Sequence, residues 1–225
     1  METELKLQIM QSDVAEKILA DPWIRQLIMP GSERTIEMDS LYFDTIDGDL
    51  NRQRATLRIR QEGNHSVLTI KTGGKAMAGL HQRLEWSVDL TQTDWDPDLT
   101  EGLDAARFMH AAISDGDPDD QLRELLDLIG RKPLIKVCQA VFTRRAYDIG
   151  YGDTLMEMAL DRGHLIAGDR TEAMNELELE LKEGDVRDLM ALGEDLMGQY
   201  PLVSETLSKY ARCLLLMNKG QEDVP

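Results

Sequence analysis

The sequence predicts an α+β fold, an eight-stranded antiparallel β-barrel with a charged interior and flanking helices. Three observations predict this fold. About eight segments alternate polar and apolar side chains with a period of two, as strands with two unlike faces do. Turn residues separate many of these segments at short intervals, which favours antiparallel neighbours. Apolar residues at helical spacing occur mainly in one central stretch and near the C-terminus.

The first half of the chain contains five of the predicted strands. The first of them places Glu2, Glu4 and Lys6 on one face and Leu5 and Leu7 on the other. A short helix begins near residue 13, and a glycine-rich link precedes the fifth strand. The five strands cover residues 2–9, 40–45, 55–61, 66–72 and 82–90.

In the second half of the chain, the strand pattern first gives way to helical periodicity. Residues 91–133 carry Asp and Pro turns and helical periodicity near 101–114 and 119–130, so we interpret them as a helical insertion. Within it, residues 115–120 are predicted to be a solvated loop. The tripeptide Asp161-Arg162-Gly163 predicts a turn. The remaining elements are strands at 135–148, 154–160 and 175–181, helices at 184–199 and about 204–218, and a frayed tail at 221–225.

Composition limits the possible functions. The 225 residues are 42% hydrophobic and 30% charged, which is typical of a globular protein, and we predict a single domain over residues 1–225. We find neither a membrane-spanning apolar run nor a signal peptide, and two cysteines make no disulfide framework, so we expect a cytoplasmic protein. The net charge of −17 argues against binding nucleic acids or anionic membranes.

The polar faces of the strands combine both signs of charge if they all point into the barrel. The basic residues on the strands are Lys6, Arg58, Arg60, Lys71, Arg83 and Arg144, and Lys209 and Arg212 would reach in from the last predicted helix. The acidic residues are Glu2, Glu4, Glu85, Glu157, Asp161, Glu176, Glu178 and Glu180. Neither set could stay buried without the other, because unpaired buried charge is strongly unfavourable. Arginine binds phosphate oxygens and clustered carboxylates bind Mg²⁺ or Mn²⁺, so the pattern indicates a metal-bound phosphate chain.

These motifs, taken in order, resemble those of a known family. The stretch Glu2-x-Glu4-x-Lys6 is similar to the Glu-x-Glu-x-Lys signature of the CYTH superfamily, the triphosphate tunnel metalloenzymes. The resemblance covers roughly residues 2–217, and Gly-Leu-His-Gln-Arg at 79–83 looks most like bacterial inorganic triphosphatases. The other matching motifs are Tyr42-Phe43-Asp44-Thr45, Leu57-Arg58-Ile59-Arg60, Thr69-Ile70-Lys71, Arg83-x-Glu85, Phe142-x-Arg144, Ala159-Leu160-Asp161-x-Gly163, the Glu176/Glu178/Glu180 strand and Leu207-Ser208-Lys209.

The resemblance implies a tunnel that hydrolyses or cyclises triphosphates with Mg²⁺ or Mn²⁺ as cofactor. The residues implied to bind the triphosphate are Lys6, Arg58, Arg60, Lys71, Arg83, Arg144 and Lys209. The implied metal ligands are Glu4, Glu176 and Glu178, followed by Glu2, Asp161 and Glu180. We assign catalytic roles to Glu2, Lys6 and Arg58. Either Glu2 as a base or a second metal would prepare the attacking water.

Several functions fit this resemblance. Our first hypothesis is hydrolysis of inorganic triphosphate to diphosphate and phosphate. The same scaffold would suit a thiamine or nucleoside triphosphate hydrolase or a class IV-type adenylate cyclase. A third hypothesis is a non-catalytic module that binds polyphosphate or nucleotides. The partner is in each case a small molecule, and the sequence leaves monomer and homodimer open.

Four other charged residues have simpler interpretations. We expect Glu85 and Glu157 to be ion-pair partners of lumen cations rather than metal ligands. Arg145 is predicted to face outward, because neighbouring residues of a strand point to opposite faces. We interpret His81 as a structural residue, since one histidine at a turn is no metal site.

Overall fold

A single antiparallel sheet closes into the predicted barrel. The computed structural model describes residues 1–112 and 120–218. Its strands are β1 Glu2–Ile9, β2 Arg34–Thr45, β3 Thr56–Glu62, β4 His65–Met77, β5 Leu80–Asp89, β6 Leu134–Tyr151, β7 Thr154–Ala167, β8 Arg170–Glu183 and β9 Leu202–Ser204. Its helices are α1 Val14–Ala20, α2 Pro22–Leu27, α3 Asp49–Arg52, α4 Ala105–Ala111, α5 Asp120–Ile129, α6 Val186–Gln199 and α7 Lys209–Asn218.

The first strand closes the ring. The spatial order is β5-β4-β3-β2-β6-β7-β8-β1, and β1 pairs with β5 as well as with β8. Glu2 lies opposite Arg83 on β5, while Glu4 lies opposite Glu180 on β8. The short β9 pairs with β1 beyond the last β5 contact, with Leu202 opposite Ile9. The prediction of an eight-stranded barrel with flanking helices is therefore confirmed.

The predicted turn at Asp161-Arg162-Gly163 is wrong, because these residues lie in the middle of the continuous strand β7. Asp161 pairs with Arg144 on β6 and with Glu176 on β8. A Cβ atom at position 163 would lie 2.1 Å from the carbonyl oxygen of Val141. Glycine is therefore needed here for the close approach of two strands rather than for a turn.

Other boundaries also differ from the predicted ones. Strand β2 begins at Arg34, and β4 extends to Met77 through much of the predicted glycine-rich link. The insertion forms the shorter helices α4 and α5. Of the loop predicted at 115–120, residues 115–119 lie outside the described residues, and Asp120 begins α5. The last helix begins at Lys209 instead of about 204, since β9 precedes it. The predicted tail at 221–225 lies outside the described residues.

Helices cover the outward faces of the barrel. Leu5 and Leu7 of β1 are fully buried in a cluster with side chains of α1, α2 and α6. On another side, Leu68 and Trp86 pack with Phe108 of α4 and with α5. Each such side chain stabilises the fold by about 1.5–3 kcal/mol. Because the apolar faces are thus buried outside, the alternating charged faces must point inside. In the part of the chain that is described, no helix combines the length and the apolarity needed to cross a membrane.

The last helix, α7, packs against the inner face of the barrel. Tyr210 and Cys213 of α7 share a buried cluster with Cys138 and Phe142, which lie on the same face of β6 as Arg144. The Tyr210 ring stacks on Tyr42 with 5.5 Å between the ring centroids. This packing brings the charged side chains of α7 to the interior.

Candidate active site

The interior of the barrel contains a cavity of about 340 Å³. Strict alternation along the strands directs every second side chain into it. All seven basic residues predicted to bind phosphate line the cavity, namely Lys6, Arg58, Arg60, Lys71, Arg83, Arg144 and Lys209. The predicted acidic residues at its surface are Glu2, Glu4, Glu85, Glu157, Glu178 and Glu180. Asp161 and Glu176 lie deeper in the wall and are only 1% exposed.

Three carboxylates form a buried acidic cluster, which consists of Asp161, Glu176 and Glu178. Asp161 on β7 lies directly opposite Glu176 on β8, and Glu178 is the next residue on the same face of β8. One carboxylate oxygen from each residue lies within 4.8 Å of the other two. Like charges this close are unfavourable in a buried site unless cations compensate them.

Lys209 forms ion pairs with all three carboxylates of the cluster. Its Nζ atom lies 2.9 Å from Asp161 Oδ2, 2.8 Å from Glu176 Oε2 and 2.7 Å from Glu178 Oε1. Arg144 donates two hydrogen bonds of 2.7 Å to Asp161 and also contacts Glu178. Burial alone would lower the pKa of Lys209, but the carboxylates outweigh burial and raise it well above the usual range.

The same cations keep Glu178 ionised. Burial would raise the pKa of this carboxyl, but Lys209, Lys6 and Arg144 together hold it well below its usual range. Glu178 is therefore ionised at neutral pH and paired with these three cations.

Glu2 and Glu4 lie on a different part of the cavity wall from the acidic cluster. Lys71 Nζ lies 2.7 Å from Glu2 Oε2, and Arg83 donates a hydrogen bond of 3.0 Å to Glu4. Lys6 connects the two regions, since its Nζ lies 3.2 Å from Glu4 and 3.3 Å from Glu178. Burial would raise the pKa of both β1 carboxyls, but Lys71 for Glu2 and Lys6 for Glu4 lower it.

Arg58 and Arg60 of β3 form an arginine wall with little compensating negative charge. Arg58 is 8% exposed, forms no ion pair within residues 1–112 and 120–218, and its buried Nε has no acceptor there. Arg60 donates to Ser40 Oγ at 3.0 Å and lies 3.3 Å from Glu62. Burial, followed by repulsion from Arg58 and Arg144, lowers the pKa of Arg60. An anion is the ligand that this wall would stabilise.

The remaining predicted acids take part in ion pairs. Glu157 lies 2.9 Å from Arg34 and 3.8 Å from Arg144, which confirms it as an ion-pair partner. Glu180 lies 2.9 Å from Lys182, outside the acidic cluster, and burial raises its pKa. The structure thus brings together three of the six predicted metal ligands and places Glu2, Glu4 and Glu180 apart from them.

The structure also tests the predictions for three other side chains. Glu85 lies 3.0 Å from Lys71, as expected of an ion-pair partner. Arg145 faces outward and binds Glu16 of α1 at 2.8 Å. His81 is buried, and its Nε2 lies 3.0 Å from the carbonyl oxygen of Glu205, in line with a structural role.

Several charged and polar residues near the cavity were not among the predicted site residues. Glu62 continues the alternation of Arg58 and Arg60 on β3, so the same pattern could have identified it. Ser40 on β2 lies opposite Arg60 on β3. This pairing follows from the strand register, which the sequence does not give. Arg34 lies in the part of β2 that was not predicted.

The acidic cluster suits a hard divalent cation. Its donors are carboxylate oxygens, which Mg²⁺ and Mn²⁺ prefer. Although Lys209 Nζ is close to Glu176 Oε2, this buried oxygen accepts no hydrogen bond from the described residues. The residues present therefore fit a metal of this class.

Comparison with known proteins identifies the family. The CYTH domain profile matches residues 1–214. The chain belongs to the CYTH domain family. A curated relative, the inorganic triphosphatase of Haemophilus influenzae, is 29% identical over 184 residues, which are 81% of this chain and 46% of the relative. The chain thus spans about half the length of this curated relative.

Two solved structures share the CYTH fold of this chain. One is a protein from Hippeastrum described as revealing a dominant triphosphatase activity, with a TM-score of 0.61, 19% identity and 96% coverage of both chains. The other is the PH1819 protein from Pyrococcus horikoshii OT3, with a TM-score of 0.56 and 19% identity, covering 96% of this chain and 99% of that one. At this level of identity the two structures support the fold alone.

Proposed function

We propose that this protein hydrolyses inorganic triphosphate to diphosphate and phosphate in a metal-dependent reaction inside the barrel. One observation carries the proposal: a single cavity is lined by the arginine wall, in which the buried Nε of Arg58 has no acceptor among the described residues, and by Glu178 of the buried cluster of three carboxylates. A polyanion would neutralise the arginines, and a divalent cation would suit the carboxylates. The CYTH relative named an inorganic triphosphatase supports the same reaction.

The basic residues of the cavity would bind and orient the phosphate chain. Arg58 and Arg60 would donate to phosphate oxygens, replacing the acceptors that Arg58 lacks. Lys6, Lys71, Arg83, Arg144 and Lys209 would add positive charge around the rest of the chain. Because charge in phosphoryl transfer spreads over the equatorial oxygens, fixed cations stabilise the transition state directly.

Asp161, Glu176 and Glu178 would hold the metal, and Glu2, Glu4 and Glu180 stay predicted ligands. Bound Mg²⁺ or Mn²⁺ would neutralise developing charge on the phosphate oxygens. Glu2 lies on the cavity wall, and its lowered pKa keeps it ionised. It can therefore accept a hydrogen bond from water and orient it toward phosphorus, although it is a weak base. Lys6 and Arg58 would bind the oxygens nearest the bond that breaks.

A second candidate is hydrolysis of an organic triphosphate. Tyr42 and Tyr210, together with Ile36 and Met38, form an apolar part of the cavity wall, and such a surface could contact a base or a thiazolium ring. No described residue of the insertion at 91–133 lines the cavity.

Phosphate release distinguishes these candidates. The purified protein is incubated with triphosphate, ATP or thiamine triphosphate at mildly alkaline pH, with Mg²⁺, Mn²⁺ or EDTA. We expect the highest kcat/KM on inorganic triphosphate and no turnover with EDTA. A preference for ATP or thiamine triphosphate would favour the second candidate, and cyclic AMP as product would indicate a cyclase. Binding without turnover of any substrate would indicate a non-catalytic module.

A further inference from the structure

Lys209 lies where a cation bound by the acidic cluster would have to lie. Its ammonium group is 2.7–2.9 Å from one oxygen of each of the three carboxylates. Mg²⁺ binds carboxylate oxygens at about 2.0–2.1 Å. An ion that contacted the same three oxygens would therefore need the space around Nζ, and two cations so close would repel each other.

The protein's own cations already compensate the charge of the cluster. Besides Lys209, Arg144 contacts Asp161 and Glu178. Arg212 contacts Glu176, and Lys6 lies 3.3 Å from Glu178. Adding a divalent cation to this arrangement would leave excess positive charge in a buried region, which is unfavourable.

We propose that Lys209 is an internal counter-ion that must leave the acidic cluster before a divalent metal can bind there. Its displacement would free the ammonium group to bind the phosphate chain. This inference rests on the proposed function, since it assigns one residue two successive partners in the same site. It also explains why Lys209 both lines the cavity and contacts the buried acids.

The surroundings of Lys209 allow its side chain to move while α7 stays in place. Lys209 is the first residue of α7, and the helix is anchored by other residues. Arg212 lies 2.6 Å from Glu172, and Tyr210 stacks on Tyr42 and donates to Asp44 at 3.3 Å. Only the lysine side chain needs to turn from the wall toward the cavity.

Metal affinity in the absence of substrate tests this exchange. Mn²⁺ binding is measured by titration calorimetry for the wild type and for Lys209→Met, whose side chain is of similar length and uncharged. We expect binding to Lys209→Met to be about tenfold tighter or more, because no ammonium group competes. Lys132→Met is the matched control, since Lys132 pairs with Asp49, which is not a predicted metal ligand, and its Mn²⁺ affinity should stay within about twofold of wild type.

One double variant shows where the added Mn²⁺ affinity arises. Adding Glu176→Gln to Lys209→Met should remove most of the added affinity, because it removes one carboxylate charge from the cluster. Equal or weaker Mn²⁺ binding by Lys209→Met would overturn the inference. If the wild type nevertheless shows metal-dependent turnover, the proposed function stands and only the exchange fails. Absence of both Mn²⁺ binding and turnover would contradict the proposed function as well.

A measurement on the wild type covers the case in which Lys209→Met does not fold. Lysines are acylated with acetic anhydride with and without saturating Mg²⁺ and mapped by mass spectrometry. Lys209 is 5% exposed, so we expect little labelling without metal and several-fold more with it. The exposed Lys136 serves as the internal reference. Labelling of Lys209 that stays constant or falls on adding Mg²⁺ would overturn the inference.

Discussion

Replacing Arg58 by methionine should stabilise the substrate-free protein and weaken its activity. Arg58 is 8% exposed, has no ion-pair partner in the described ranges, and leaves a buried Nε without an acceptor. A buried donor without a partner costs about 1–3 kcal/mol. Because the cavity can admit water to the guanidinium, we take the lower end, about 1 kcal/mol. For a protein of this size that gain corresponds to a rise in Tm of about 2–4 °C.

The effect on activity should have the opposite sign. A hydrogen bond to a charged group contributes about 1.5–3 kcal/mol. If Arg58 contacts phosphate oxygens more strongly in the transition state, Arg58→Met should lower kcat/KM by about 10²-fold. Thermal unfolding without ligand and phosphate release from triphosphate measure the two effects on the same preparation.

Arg60→Met is the matched control for this experiment. Arg60 lies on the same face of β3, but it has Ser40 and Glu62 as partners. Its loss should lower kcat/KM and raise Tm less than the loss of Arg58 does, because the contacts to Ser40 and Glu62 that disappear offset the relief of burial and repulsion at this guanidinium. A fall in Tm of several degrees for Arg58→Met, with kcat/KM unchanged, would instead make Arg58 a structural residue.

Three further predictions concern the acids and one glycine. Glu176→Gln should lower Mg²⁺-dependent kcat by about 10²-fold or more with an unchanged circular dichroism spectrum, and full activity would exclude a metal ligand here. Burial would raise the pKa of Glu85, but Lys71 outweighs burial and the pKa falls to about 2. Since the folded pKa is the lower one, this carboxylate should contribute up to about 3 kcal/mol at neutral pH, a contribution lost between about pH 4.5 and 2. Urea unfolding of Glu85→Gln should show a weaker pH dependence in that window, and an identical slope would contradict this. A Cβ at Gly79, whose φ is +85°, would lie 2.7 Å from the carbonyl oxygen of Lys6. Gly79→Ala should therefore destabilise by about 2–3 kcal/mol, and an unchanged urea midpoint would show that the strands can separate there.

The sequence predicts the barrel well because alternation is a local signal. Glu2, Glu4 and Lys6 indicate by themselves that one face of β1 is charged, and the structure places that face inside. The error at Asp161-Arg162-Gly163 has a physical cause. Aspartate and glycine favour turns locally, but here the glycine allows close contact with Val141, and the aspartate pairs with Arg144. Tertiary packing decided the conformation of this segment.

The partners inside the cavity could not be predicted from alternation alone. The pattern indicates which residues point inward, but the register decides that Asp161 lies opposite Glu176 and not beside Glu180. The position of α7 decides that Lys209 lies among three acids. Both depend on contacts between residues far apart in the sequence. The sequence therefore predicted the membership of the site better than its internal pairing.

The closure of the ring by β1 has a consequence for folding during synthesis. Glu4 pairs with His81 on β5 along one edge of β1 and with Glu180 on β8 along the other, so this second edge waits for a partner made roughly 175 residues later. Until then Leu5, Leu7 and Ile9 have neither β8 nor α6 to cover them. Pairings of such long range fold slowly, and unpaired strands of this kind are prone to aggregation. We expect the nascent chain to need chaperone protection until β8 has been synthesised.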